Sequence, residues 1–357
     1  MKKHIGFLIM NFENGGGTER VTSVIASELA KRNYKVTVIS CQKGEKCWFD
    51  ISSAVKLCSL HGEKIGNPII RKAKSSQELG KIVKKEEIDI MIAVDVALYL
   101  YLWPLRKRKI CKCIAWEHFN YHVARNKTVT FARKLAAEDA DCVVVLGTKD
   151  MENYRANYRK CKQIEIIRNP LLTTVNGKSC LHQKRVLAVG RLTKEKGMDR
   201  LLYIWAKVER QMPDWRLDIY GEGNQKNLLQ KQIHDLGLNN VRLCGYAGNV
   251  EEEYLKASVF ALTSRYEGFG LVLIEAMAKG VPCISFDCKV GPSEIIDDGV
   301  NGYLIEDGNV EEFAEKLLRI MKDDELRKSF SEHTGDNLDR YNIESIMEQW
   351  ESLLLHV

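Results

Sequence analysis

The chain has 357 residues, 45% of them hydrophobic and 29% charged, with a formal net charge of +6. That length accommodates two ordinary domains, each with its own core, and the composition is that of a soluble globular protein rather than a disordered, fibrous or membrane-embedded one. The charge is unevenly divided: residues 1–180 carry 32 Lys and Arg against 18 Asp and Glu, a net +14, and the remainder 22 against 30, a net −8. A basic half joined to an acidic one points to an anionic partner for the first half, either nucleic acid or a membrane surface.

The opening MKKHIGFLIMNFENGG runs from a strand over residues 4–10 into glycines, without the apolar region and cleavage site of a secretory leader. GGGTER follows, and Thr18 opens an apolar-periodic helix to about residue 32 through Val21, Ile25 and Leu29. Strand, glycine turn and helix make the first unit of a Rossmann-like half domain, although the spacing is not GxGxxG. Gly15, Gly16 and Gly17 let backbone amides face a phosphate or sugar at the helix start; a flexible turn is the alternative. Residues 35–40 are a second strand, 58–60 end a third, 72–85 form a basic helix, and 89–94 the next strand, ending at Asp95. The apolar run over 88–105 contains Asp89, Asp95 and Pro104, which splits it into strand and helix and excludes a bilayer span.

A helix over 97–105 leads into RKRKICK, whose cations either touch phosphates of a lipid or nucleic acid or line a solvated turn. The strand 112–116 delivers Glu117 and His118 to its carboxyl end, where ligands of open α/β sheets sit. An imidazole there can donate to a sugar hydroxyl or phosphate, or it can merely cap or pack. In the next stretch Val123, Phe131 and Leu135 accompany Arg125, Lys127, Arg133 and Lys134. That pattern suits a helix at an anionic lipid interface, with a core-facing helix and solvated basic edge as the alternative. Asp139 and Asp141 form a D-x-D, but they join that helix to a strand over 142–146, a poor setting for a metal. Eleven cysteines without CxxC pairs point to reduced thiols in the cytosol. Arg168, Asn169 and Pro170 close the half, and the polar stretch 173–184 reads as a linker.

A second α/β unit begins with a strand over 185–189, GRLTKEKG and a helix over 198–210. It continues as strand 216–220, GEG, helix 227–236, strand 241–244, helix 250–257 and strand 259–263. This alternation predicts a second doubly wound domain. Gly190, Arg191, Lys196 and Gly197 lie just past its first strand, and a planar Arg fork with a mobile Lys charge can clamp a pyrophosphate. The run SRYEGFGLVLIEAMA places Glu267 and Glu275 eight positions apart, with Gly268 and Gly270 between them and a short apolar helix over 271–278, stopped by Gly280 and Pro282. A loop entering a helix N-terminus offers free N–H groups and a positive dipole end to phosphate, and carboxylates beside it suit sugar hydroxyls. A nucleotide-sugar site follows; a solvated loop acid and an unpartnered helix acid are the alternative. Residues 336–357 are acidic and amphipathic, with Ile343, Ile346, Trp350, Leu353 and Leu354 at helical spacing.

Together, VGRLTKEKG, IYGEG, EGFGLVLIEAMAKGVPCIS and GPSEIIDDGVNGYLI resemble the retaining glycosyltransferases of family 4. GGGTER and the EH after a strand are similar to bacterial members that build capsules, O-antigens and lipid-linked oligosaccharides. The resemblance implies the GT-B fold, two Rossmann-like doubly wound α/β domains facing across a cleft. An acceptor-side domain would span 1–172 and a nucleotide-sugar-binding domain 183–338, with a last helix at 340–357 packed back on the first or staying on its own. Arg191 and Lys196, with Gly190, match the positions that hold the donor diphosphate, Glu275 the one that binds ribose hydroxyls, and Glu267 the acid that orients the sugar. The backbone of Gly268, Phe269, Gly270 and Leu271 would add donors at sugar and phosphate. His118 matches the histidine near the transferred sugar, and Gly16 and Gly17 would close over the diphosphate. Gly221 and Gly223 support a loop near the nucleotide or only turn the chain.

The reaction implied is retaining transfer of a hexose or N-acetylhexosamine from a nucleotide diphosphate sugar, a UDP-sugar, to a lipid-linked glycan, with Glu267, His118, Arg191 and Lys196 as the catalytic set. No metal and no cofactor beyond the sugar nucleotide is expected. The expected partners are that donor, a lipid-linked saccharide acceptor and an anionic membrane surface at the inner face of the cell membrane. Nucleic acid is not expected, because aromatics do not interleave with the cations. A GT-B epimerase or phosphorylase shares the fold, and a catalytically silent partner subunit would lack some of Arg191, Lys196, Glu267 and Glu275, all of which are present.

Overall fold

The computed structural model describes residues 2–42, 46–60, 68–122, 126–173 and 176–357; Val123 and Arg125 of the basic stretch and positions 174 and 175 of the expected linker lie outside them. The chain forms two compact units, Met1–Pro170 with Ile343–Val357, and Leu171–Asn342.

In the first unit β1 (His4–Ile9), α1 (Gly17–Lys31), β2 (Lys35–Ser40), β3 (Val55–Ser59), α2 (Pro68–Glu86), β4 (Ile90–Val94), α3 (Tyr99–Lys107), β5 (Lys112–Trp116), α4 (Lys127–Asp139), β6 (Cys142–Val145), α5 (Thr148–Asn157) and β7 (Ile164–Ile166) follow in order. The strands form one parallel sheet, β3-β2-β1-β4-β5-β6-β7. β1 and β4 are buried along their whole length, which is why they read as unbroken apolar runs rather than alternating ones. The order reverses between β1 and β4, and ligands of such sheets bind beyond the carboxyl ends at that point.

The second unit repeats the plan with β8 (Arg185–Val189), α6 (Met198–Val208), β9 (Arg216–Tyr220), α7 (Lys226–Asp235), β10 (Val241–Gly245), α8 (Val250–Leu255), β11 (Val259–Leu262), α9 (Leu271–Ala278), β12 (Cys283–Asp287), β13 (Gly302–Glu306), α10 (Val310–Lys322) and α11 (Asp324–His333). Its parallel sheet runs β10-β9-β8-β11-β12-β13, so the reversal falls between β8 and β11. Trp205, Leu201 and Ile204 of α6 and Phe313, Leu317 and Ile320 of α10 cover one face of it.

The stretch expected to be a linker is packed into this unit. Ser179 Oγ donates to Ala257 O at 2.6 Å, and the buried Lys279 Nζ donates to Asn176 O at 3.1 Å. The unit accordingly starts at Leu171 rather than at 183. The last helix, α12 (Ile343–His356), belongs to the first unit. Ile346, Met347, Trp350, Leu353 and Leu354 are its buried stripe, and Trp350 meets Trp116 edge-on at 4.9 Å.

Candidate functional site

β8 and β11 are hydrogen-bonded neighbours, and the loops leaving their carboxyl ends carry most of the residues singled out from the sequence. Lys196 closes a one-turn 3-10 helix, Lys194–Lys196, and its Nζ donates to both oxygens of Glu267, at 2.7 and 2.9 Å. Ser264 Oγ donates to Oε1 of the same carboxylate at 2.6 Å. Glu267 is only 6% exposed, so 71 positions of sequence separation end in a part-buried ion pair. Arg191 is exposed and makes no side-chain hydrogen bond among the described residues.

α9 starts at Leu271 behind Gly270, which has φ +98° and gives no side-chain cap; the Leu273 amide turns back to Gly270 O at 2.9 Å, and the helix start keeps its positive dipole end. Phe269 is buried and packs on Tyr341 at 5.6 Å, which leaves its backbone rather than its ring for a ligand. Glu275, one turn into α9, is buried and accepts from Tyr254 Oη at 3.0 Å.

Two further contacts brace these loops, and spacing alone could not reveal them. Arg265 grips Asp199 with two nitrogens at 2.7 and 2.8 Å, and its amide donates to Glu195 O at 2.7 Å. Burial alone would raise the Asp199 carboxyl, but hydrogen bonds from Arg265 and Lys194 outweigh it and bring it down to about 2. The glycines of IYGEG serve the same loop. A Cβ on Gly221 would stand 1.9 Å from Gly190 O, and one on Gly223 2.3 Å from Leu192 O, so GEG is the floor on which the Arg191 to Lys196 loop lies.

The remaining singled-out residues belong to the first unit. Gly16 is the N-cap of α1 and Gly17 its first residue, at the end of the turn that follows β1. His118, just past β5, is 7% exposed and lies against Trp116 with ring centroids 4.1 Å apart. Its Nε2 has no hydrogen-bond partner among the described residues, and burial lowers its pKa to about 3. The imidazole is therefore neutral at physiological pH and can exchange a hydrogen bond but does not offer a charge.

Its neighbour Glu117 is fully buried, accepting from Arg133 Nε at 2.8 Å and from Tyr154 Oη at 2.9 Å. Burial pushes the Glu117 carboxyl up, with the Arg133 charge opposing. Arg133 also donates to Tyr121 O at 2.7 Å and Asn120 O at 2.8 Å, clamping the loop that carries His118. This corrects the expectation that Arg133 faces lipid: at 3% exposure it points inward, because a guanidinium fork can satisfy a buried carboxylate and two carbonyls at once. Lys127 and Lys134 are exposed, as is Phe131 at 58%.

Asp139 and Asp141 answer the RKRK cations. Lys107 reaches Asp139 at 2.6 Å, and Arg106 and Lys112 reach Asp141 at 2.8 and 3.4 Å. Two of the four RKRK cations, and Lys112 beyond them, are thus paired with the D-x-D, and among the described residues no group of three or more His, Cys, Asp or Glu is arranged to hold a metal ion. All eleven cysteines are free thiols. Asp95 was noted in the sequence only as the end of a strand. It has φ +104°, and its side chain caps the short helix that follows.

The family model described as "Glycosyl transferases group 1" matches residues 178–335, and that described as "Glycosyltransferase Family 4" matches residues 15–174. An uncharacterized glycosyltransferase of Haemophilus influenzae is 31% identical over 99% of this chain and 100% of its own length. The amylovoran biosynthesis glycosyltransferase AmsD of Erwinia amylovora is 33% identical over 97% of this chain and 98% of its own. A Campylobacter jejuni α-1,4-N-acetyl-D-galactosaminyltransferase, whose substrate is named as a GalNAc-containing glycan on PP-undecaprenol, is 26% identical over 99% of this chain and 98% of its own. In architecture the chain is similar to Staphylococcus aureus TarM, solved with fondaparinux, alpha-GlcNAc-glycerol and UDP: the TM-score is 0.84 at 18% identity, over 99% of this chain and 100% of the other.

Proposed function

Since this chain belongs to glycosyltransferase family 4 and has the GT-B fold, we propose that it moves a hexose or N-acetylhexosamine from a UDP-sugar to a lipid-linked glycan in surface polysaccharide synthesis, with retention at the anomeric carbon. The observation that carries the reading is the Lys196–Glu267 pair at the reversal of the second sheet, beside the uncapped start of α9. A mobile cation, an acceptor-only carboxylate and a set of aligned amides are the three chemistries that a diphosphate joined to a sugar needs.

In this reading the diphosphate takes Lys196, Arg191 and the amides of residues 268–271, the ribose takes Glu275, and the sugar hydroxyls take Glu267. The bond between the anomeric carbon and the diphosphate oxygen breaks. The acceptor oxygen bonds that carbon on the same face, and the departing phosphate takes the acceptor's proton. Fixed donors aimed at the leaving group supply the rate, and removal of one commonly costs about 10² to 10³. His118 acts as a neutral hydrogen-bonding group toward the sugar, and the scheme calls for neither a metal nor a further cofactor.

Support for the polysaccharide setting comes from the named roles of the Erwinia and Campylobacter relatives. Support for attachment to the inner membrane surface comes from the +14 of residues 1–180 and from exposed Phe131 between exposed Lys127 and Lys134. Each cation near an anionic surface contributes roughly 1 kcal/mol. Among the described residues no helix is long and apolar enough to cross a membrane.

The test is a screen of nucleotide sugars for thermal stabilisation, followed by transfer to polyprenyl-diphosphate-linked saccharides. Lys196→Ala and Glu267→Ala should keep the fold by circular dichroism and lose about 10²-fold or more in turnover. Near-normal turnover in either variant would refute the site.

A further inference from the structure

We infer that Trp350 of α12 is a positioning residue for the transfer, aiming the His118 imidazole through Trp116. This rests on the hydrogen-bonding role proposed for His118 and adds what holds that ring in place. His118 is 7% exposed, its Nε2 is buried, and the ring makes no hydrogen bond among the described residues. A working histidine is ordinarily oriented by a hydrogen bond at the nitrogen that does not meet the substrate. In its place this one has an aromatic neighbour: Trp116, two residues back, with ring centroids 4.1 Å apart and planes tilted by 50°.

Trp116 is held in the same manner. It ends β5, is fully buried, and its indole Nε1 has no hydrogen-bond partner among the described residues, so packing fixes the plane of its ring. Trp350 supplies part of that packing, meeting it edge-on at 4.9 Å with an angle of 74° between the rings. Its own Nε1 is buried and unpartnered as well. Burying an indole N–H without an acceptor costs free energy that Phe would not incur. What the two indoles offer here is therefore the size and reach of the ring, which carry contact from α12 to the imidazole.

The backbone of the loop is fixed separately. Glu117, between the two rings in sequence, is taken by Arg133 and Tyr154, and Arg133 also holds the carbonyls of Asn120 and Tyr121. Arg133 sets where the loop runs, and the Trp pair sets which way the imidazole faces. α12 is tied down on both sides of Trp350: Arg32 reaches Glu344, Lys2 pairs with Glu351 at 2.8 Å, and Lys3 donates to Leu354 O at 2.7 Å. A group displaced by about 1 Å from its productive place can cost ~10²-fold in rate, so the last helix of the chain is part of the working site and not only its cover.

The experiment uses the full chain with UDP, the UDP-sugar selected by the stabilisation screen in radiolabelled form, and a polyprenyl-diphosphate-linked saccharide as acceptor. Trp350→Phe should bind UDP within about twofold of wild type and keep the acceptor KM, yet lose about tenfold or more in kcat. In a His118→Gln background the same substitution should change kcat by less than about twofold, because the ring that Trp350 aims is gone. Ile346→Ala, in the same buried stripe, should lower Tm at least as far as Trp350→Phe and leave kcat within about twofold of wild type. Wild-type kcat in Trp350→Phe would overturn the inference. So would an equal fold-loss from Trp350→Phe in both backgrounds, or a kcat loss in Ile346→Ala as large as that in Trp350→Phe, since either marks a merely structural role. Wild-type kcat in His118→Gln would overturn the role proposed for His118, and absence of transfer by the wild-type chain the proposed reaction, each taking the inference with it.

Discussion

Replacing Arg133 by Met should cost the first unit about 3–5 kcal/mol, the range for removing one partner of a buried ion pair. The side chain gives up hydrogen bonds of 2.8 Å to Glu117, 2.7 Å to Tyr121 O and 2.8 Å to Asn120 O. Glu117, whose carboxyl burial already disfavours in its charged form, is left with the Tyr154 hydroxyl at 2.9 Å and the Phe119 amide at 3.2 Å. Met fills much of the vacated volume, so the loss measures stranded charge rather than a cavity. In a unit of about 185 residues, roughly 2–4 °C of Tm per kcal/mol gives a fall of ~6–20 °C by calorimetry. Adding Glu117→Gln removes the stranded anion and should restore about 1–3 kcal/mol. A single variant within ~1 kcal/mol of wild type, or a double variant no more stable than Arg133→Met, would refute the reasoning.

His118 makes stability depend on pH in a defined window. With a folded pKa of about 3 against an ordinary 6.5, the unfolded chain takes the proton first. The contribution is therefore present above 6.5 and is lost as pH falls toward 3, with a slope of at most ~1.4 kcal/mol per pH unit. Urea titrations of His118→Gln should show that slope reduced by up to one proton, and an unchanged slope would place the imidazole in water. Gly221→Ala introduces a Cβ 1.9 Å from Gly190 O at φ +145° and should cost about 2–5 kcal/mol. Gly237→Ala, with φ +63° and nothing within 4 Å, should cost only about 1 kcal/mol. Equal urea midpoints for the two would show that GEG is an ordinary turn.

The two wound sheets were legible because parallel strands buried on both faces leave unbroken apolar runs, and the glycine turns between them punctuate the alternation. The strands Lys112–Trp116, Arg185–Val189 and Arg216–Tyr220 and the helix Leu271–Ala278 fall where periodicity puts them. The short edge strand Ile164–Ile166 does not announce itself, since only three residues pair and its middle one, Glu165, points to solvent. At the site the residue types were legible and the partners were not. Lys196 and Glu267 read as two separate ligand contacts, yet their mutual approach depends on β8 and β11 lying side by side, a long-range pairing without local signature. The same holds for Arg133, whose spacing on α4 fits a lipid-facing stripe until Glu117 claims it, and for Asp139 and Asp141, which the RKRK cations neutralise.

The return of α12 to the first unit sets a timetable for synthesis. Its buried stripe, with Trp350 against Trp116, is the last part of that unit to be made, after the whole of Leu171–Asn342. At ~5–20 residues per second the first sheet waits on the order of 10–30 s on the ribosome for the helix that covers it. Throughout that interval Trp116 and the floor under His118 face water or a chaperone. A stop codon or bulky fusion near Ile343 would therefore injure the beginning of the chain more than its end.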